Sequence, residues 1–98
     1  MLTLRFDFRL KPGSVSTMRE MYSTALDICQ WGERNNALTA MFSEHHSSPD
    51  GYLPSPIIMA AAAAARTKTL TFNVGALLLL MYDPIKLAED IAVLDPFK

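Results

Sequence analysis

Ala37-Leu38-Thr39-Ala40-Met41-Phe42-Ser43-Glu44-His45-His46, followed by Ser47-Ser48-Pro49-Asp50-Gly51-Tyr52, is the stretch on which the fold turns. A short apolar run from Ala37 to Ser43 reads as a strand, apolar enough to be covered on both faces. It ends abruptly in one carboxylate and two imidazoles, and a loop rich in Ser, Pro, Asp and Gly follows. In α/β architectures chemistry gathers at the carboxyl ends of parallel strands, which is where this cluster falls. It is the one concentration of titratable groups that does not read as a solvated helix face.

Working toward the N-terminus, Leu2, Leu4, Phe6 and Phe8 alternate with Thr3, Arg5, Asp7 and Arg9, the period of a strand with one apolar face. Lys11-Pro12-Gly13-Ser14 makes a turn. Val15, Met18, Tyr22, Ala25, Cys29 and Gly32, flanked by Leu26, then form the apolar stripe of an amphipathic helix. Thr17 and Glu20 have capping-box spacing, and Asn35-Asn36 supplies a stop. Cys29 falls on the buried stripe and reads as a small core residue. Trp31 and Tyr22 read as helix-packing residues.

Toward the C-terminus, Ser55-Pro56 is an N-cap followed by Pro at the first helical position. The helix Pro56 to Arg66 is nearly all alanine, which lets it approach a sheet closely. Leu70 to Ala76 reads as a third strand whose apolar run continues from Leu77 to Met81. Gly75 within it marks a bulge or a close backbone approach. Asp83-Pro84 opens a third helix with apolar positions Ile85, Ala88, Ile91, Ala92 and Leu94, stopped at Pro96.

The order is βαβαβα, which calls for a parallel sheet with right-handed crossovers. Each unit takes about a third of the 98 residues, the allotment of one unit in a (β/α)8 barrel of ~250 residues. The expected fold is therefore α/β: residues 1–98 as one partial TIM-barrel domain, units one to three. Such a sheet standing alone exposes two edges and a face.

Composition narrows the function. Nine Lys and Arg against ten Asp and Glu leave a net charge of −1, with no electrostatic footprint for nucleic acid or an anionic membrane. The run Ile57 to Ala65 is far short of the ~20 apolar residues of a spanning helix, and no secretory signal is visible. The single cysteine excludes an intrachain disulfide and fits a reducing, cytoplasmic setting. There is no G-x-G-x-x-G, Walker loop or G-x-S-x-G. A metal site is one alternative for Glu44, His45 and His46, since His and Glu are good zinc or iron ligands, but it needs three convergent ligands and adjacency makes convergence difficult.

Phe42-Ser43-Glu44-His45-His46 and Asp50-Gly51-Tyr52-Leu53-Pro54-Ser55-Pro56 resemble the second strand and following loop of the bacterial luciferase-like family of flavin-dependent monooxygenases and deazaflavin-dependent oxidoreductases. Ala63 to Leu70 is similar to that family's second helix running into strand three. Asn73-Val74-Gly75 and Tyr82 to Asp95 are similar to its third strand and third helix. The resemblance covers roughly Leu38 to Asp95, and the first 37 residues match in architecture only.

The resemblance implies a flavin, FMN or coenzyme F420, lying across the strand ends beside a small organic substrate. It maps the family's reactive histidine pair onto His45 and His46, with Glu44 setting a tautomer or orienting a ring. By the same resemblance His45 is favoured for the reactive role. Alternation sends His45 and His46 to opposite faces, so only one of them can face the cofactor. The family's non-prolyl cis peptide beneath the flavin ring maps near Gly75-Ala76-Leu77. The groups that hold the cofactor phosphate come from later strands, beyond Asp95-Pro96-Phe97-Lys98. Two function classes follow. One is the N-terminal portion of a flavin-dependent oxidoreductase. The other is a non-catalytic truncated product that self-associates through its sheet edges.

Overall fold

The computed structural model describes residues 1–97. Three strands, β1 (Leu2–Phe6), β2 (Ala37–Phe42) and β3 (Thr71–Val74), alternate with three helices, α1 (Met18–Arg34), α2 (Pro56–Ala64) and α3 (Pro84–Leu94). Short 3-10 turns at Leu79–Met81 and Asp95–Phe97 flank α3. The strands are all parallel in the order β1-β2-β3, the arrangement expected of consecutive βαβ units.

Register divides the sheet into two unlike faces. Leu4, Ala40 and Phe72 form one cross-strand row, and Phe6, Phe42 and Val74 the next. These rows are packed beneath Ala25 and Cys29 of α1 and Met59, Ala60 and Ala63 of α2. Phe6, Phe8 and Phe42 hold their rings 5.7 to 6.0 Å apart, and Phe72 continues the line at 5.9 Å from Phe42. The opposite face carries the rows Thr3-Thr39-Thr71 and Arg5-Met41-Asn73, exposed or half-buried. Its threonines bond across the strands, Thr39 Oγ1 to the Thr71 carbonyl at 3.2 Å and Thr71 Oγ1 to the Leu38 carbonyl at 2.7 Å. β2 is thus covered by helices on one face, not both.

α1 starts at the capping box. The Glu20 N–H donates to Thr17 Oγ1 at 3.1 Å, and the Thr17 N–H donates to Glu20 Oε2 at 3.1 Å. Val15 lies before this box and is 99 % exposed, so it is no part of the buried stripe. Trp31 is half-exposed on the outer flank, whereas Tyr22 packs edge-on against Phe8 at 5.4 Å. Gly32 is buried because a Cβ there would meet Leu4 Cδ1 at 2.6 Å and Ala37 Cβ at 3.2 Å.

α2 lies deep, with Met59, Ala60, Ala63 and Ala64 buried. Ser55 precedes it without making a side-chain cap, so Pro56 alone marks this helix start. β3 is only four residues long. After Val74 the chain leaves the sheet, and Leu79, Leu80 and Met81 are exposed on the 3-10 turn rather than extending the strand. α3 is capped by Asp83, which accepts from the N–H groups of Ile85 and Lys86. It packs on α2. Its buried residue is Leu87, with Asp90 and Leu94 half-buried, while Ile85 and Ile91 face outward. Among the described residues no helix is long and apolar enough to cross a membrane.

Candidate functional site

Because the strands are parallel, their carboxyl ends share one edge of the sheet. β1 runs out into Asp7 and Phe8, which takes a left-handed turn at φ 63°, and then Arg9. β2 runs out into Ser43, Glu44, His45 and His46, and β3 into a cis peptide between Gly75 and Ala76. Backbone bonds tie the three ends together. The Ser43 N–H reaches the Phe6 carbonyl at 3.4 Å, and the Gly75 N–H reaches the Phe42 carbonyl at 2.9 Å. The loop after β2 folds back over β1, with His45 N–H donating to Leu53 at 3.0 Å and Leu53 N–H to Asp7 at 3.2 Å. Gly51, at φ 76°, lets this loop turn directly above Met18.

Glu44 is the hub. Its side chain is fully buried and both oxygens are engaged. Oε1 accepts from the Tyr82 hydroxyl at 2.6 Å and the Leu78 N–H at 3.3 Å. Oε2 lies 2.7 Å from Nε2 of His46. Burial pushes this carboxyl up, but the donors from Tyr82, His46 and Leu78 more than offset it and hold it below the usual carboxylate range. Glu44 is therefore ionised at neutral pH, so His46 donates from Nε2. The same burial and the same carboxylate raise the Tyr82 phenol, keeping it a hydrogen-bond donor.

His45 goes the other way. It is exposed, and its ring lies 5.0 Å from the Tyr52 ring, over which the Arg9 guanidinium sits at 5.2 Å. Arg9 Nε is 2.6 Å from Asp50 Oδ2, and Asp50 also accepts from the Ser48 hydroxyl and, at 3.2 Å, the Tyr52 N–H. The Ser48 and Arg9 donors hold the Asp50 carboxyl down to about 2. The two histidines thus diverge, as alternation requires: His46 is tied toward β3 and His45 toward β1.

A cleft of about 280 Å³ opens beside this hub, lined by His46, Pro54, Ile58, Met81, Tyr82 and Asp90. The larger groove, about 540 Å³, runs along the free edge of β1 against Met21, Ala25 and Ile28 of α1. That groove is space beside an outer strand and holds neither histidine, whereas the smaller cleft holds His46 and Tyr82. Ser43 Oγ is buried at the end of β2 without a partner, the one such side-chain atom among the described residues. At Gly75 a Cβ would meet Met41 Sδ at 3.3 Å, so the backbone there lies close against β2. Leu77, half-buried at most, and Ala76 carry no side-chain polar group, and what they can offer a ligand is backbone.

Cys29 is fully buried, and burial pushes its thiol up to about 11, as suits a core residue rather than a nucleophile. No cluster of three metal-ligating side chains occurs among the described residues. Sequence reasoning missed Tyr82 as a partner of Glu44. Its only signal was position, one residue before the Asp83-Pro84 helix start.

A family model described as luciferase-like monooxygenase matches residues 5–97. The chain is 28% identical over 79 residues to the oxygenase component of the flavin-dependent trigonelline monooxygenase of Acinetobacter baylyi, covering 81% of this chain and 22% of that one. It is 36% identical over 75 residues to the YceB protein of Bacillus subtilis, covering 76% and 22%. Among solved structures, the oxygenating constituent of 3,6-diketocamphane monooxygenase from Pseudomonas putida, in complex with FMN, superposes with a TM-score of 0.83 at 29% identity. That match covers 97% of this chain and 26% of the other. The monooxygenase RslO1 of Streptomyces bottropensis gives 0.84 at 28% identity, covering 99% and 30%. The chain therefore spans between a fifth and a third of the length of these relatives.

Proposed function

The chain belongs to the luciferase-like monooxygenase family, and from that premise we propose that it supplies the first three β/α units, and the histidine end of the site, of a flavin-dependent oxygenase acting on a small organic substrate. The observation that carries this reading is the buried Glu44 carboxylate, which joins His46 at the end of β2 to Leu78 and Tyr82 beyond the end of β3. A buried, ionised, fully bonded carboxylate next to an imidazole is the arrangement that fixes a ring for proton handling.

The residues present fit a flavin ring. The unpartnered hydroxyl of Ser43 can donate to or accept from a heteroatom of the ring. The Gly75-Ala76-Leu77 backbone offers a surface without bulky polar side chains for a planar group to lie against. Arg9, which follows β1 at this end, is already held by Asp50, so the cofactor phosphate is assigned to groups other than these. When bound, the reduced flavin supplies the electrons that activate molecular oxygen. FMN is favoured over coenzyme F420 because the 3,6-diketocamphane monooxygenase is in complex with FMN.

The chain's own residues would then act as follows. Glu44 accepts a hydrogen bond from the Nε2–H of His46 and so leaves Nδ1 of that ring as the site that takes a proton and can return it. His45, exposed and set against Tyr52 on the β1 side, is the second candidate for handling a proton. Leu53 and the loop over β1 keep water from the strand ends on that side.

The test is FMN titration followed by turnover with reduced flavin and oxygen. His45→Ala and His46→Ala should each lower turnover by roughly 10²–10⁴-fold, the usual worth of general acid–base catalysis. Unchanged flavin affinity and turnover in both variants would sink the site assignment. The open edges of β1 and β3 favour a second reading, in which copies of the chain pair edge to edge and do no chemistry. A large oligomer by sedimentation velocity, blind to FMN and indifferent to His45→Ala, is the result that reading requires.

A further inference from the structure

Tyr82 belongs to no strand and to none of the residues assigned above as reactive or flavin-facing, yet it makes the shortest bond to the hub carboxylate, 2.6 Å. We propose that Tyr82 is the positioning residue for His46, acting through Glu44, so that the segment after β3 sets the orientation of a histidine on the segment after β2. The geometry gives each carboxylate oxygen a separate duty. Oε1 is pinned by the phenol and the Leu78 N–H, and Oε2 is thereby turned to His46 Nε2 at 2.7 Å.

A carboxylate with both oxygens bonded cannot rotate without breaking two contacts at once, so its grip on the imidazole depends on the phenol at the far side. The other charged group facing this cleft is Asp90 of α3, which is itself held by Lys86. The carboxylate bonded to His46 is that of Glu44, and the phenol holds the geometry in which Glu44 presents it. Leu79, Leu80 and Met81, the turn that carries Tyr82 to Glu44, are exposed and contribute no competing polar side chain.

The inference rests on the reading of this end as the reaction site, but its test requires no flavin. The chain has two histidines, so ring spectra contain two imidazoles and His45 serves as an internal reference. In Tyr82→Phe, carbon-detected NMR should show the Glu44 carboxyl titrating higher than in the parent, since a donor to the charged form is lost. At fixed neutral pH the His46 ring cross-peak should shift and broaden while that of His45 stays in place. Glu44→Gln should displace the His46 peak in the same sense and confirms the route, and circular dichroism establishes that each variant is folded. A folded Tyr82→Phe whose His46 peak and Glu44 titration both match the parent overturns the proposal. If the relay holds in these spectra while FMN does not bind, the flavin reading fails and the positioning role stands.

Discussion

Glu33 does for the far end of the sheet what Glu44 does for the histidine end. It sits in the last turn of α1, and its Oε1 accepts from the backbone N–H groups of Lys68, Thr69 and Leu70 at 2.8, 2.6 and 2.9 Å. Three donors converging on one carboxylate oxygen fix the turn that leads into β3. Burial pushes this carboxyl up, but the Thr69, Leu70 and Lys68 donors prevail and hold it at about 2. The folded-state value is depressed, so the stabilisation is fully present above the unfolded-state value of about 4.3 and is lost as pH falls toward 2. Glu33→Gln should therefore flatten the acid limb of a denaturation profile between those values. At neutral pH it should cost about 1–2 kcal/mol, kept small because the group is half-exposed. An unchanged acid limb would show that Glu33 is not bonded to the turn in solution.

Among the elements, α2 is the one whose composition and position explain each other. Ala63 is fully buried, and alanine at 60, 63 and 64 lets the helix axis approach the sheet. The density of such a contact leaves no room for a larger side chain. Ala63→Leu should lower stability by about 1–3 kcal/mol in urea titration, despite leucine being nearly as good a helix former. If that variant were as stable as the parent, the helix would be packed more loosely than its burial indicates. α3 is built differently. Its Asp83 cap and Pro84 start are those of a well-formed helix, yet only Leu87 is buried. Helix formation there is local chemistry, and docking is left to a narrow contact with α2.

Taken together, the parts give an uneven distribution of stability. β2 is hydrogen-bonded on both sides and carries Phe42 of the aromatic line of Phe6, Phe42 and Phe72, while β1 and β3 are the outer strands of the sheet. Opening should therefore be costliest at β2 and least costly at α3. Native-state hydrogen exchange should show the slowest amides in Leu38 to Phe42 and the fastest helical amides in Pro84 to Leu94. Uniform protection across the three helices would mean that α3 is held by more than its contact with α2. The threonine row on the uncovered face fits the same picture, since Thr39 and Thr71 satisfy one another across the strands.

Periodicity made the order of elements legible, because strand and helix repeats are local properties of the chain. The capping box of Thr17 and Glu20, the Asp83-Pro84 start and the alanine face of α2 followed from a few adjacent residues each. The opposed directions of His45 and His46 followed from alternation alone. Where Leu77 to Met81 went did not follow, because an apolar run reads the same whether a strand continues or the chain turns out of the sheet. The capping role of Ser55 failed for a similar reason, as residue type sets the capacity to cap but not the rotamer. Val15 was placed inside by spacing and lies outside, since the stripe tells which face is apolar and not where its coverage stops, and Trp31, read as a packing residue from its type, is half-exposed. The bonds that define the site lay furthest from view. Tyr82 to Glu44 and Glu33 to Leu70 join residues more than 30 positions apart, and only the parallel pairing of β2 with β3 brings their ends within hydrogen-bond distance.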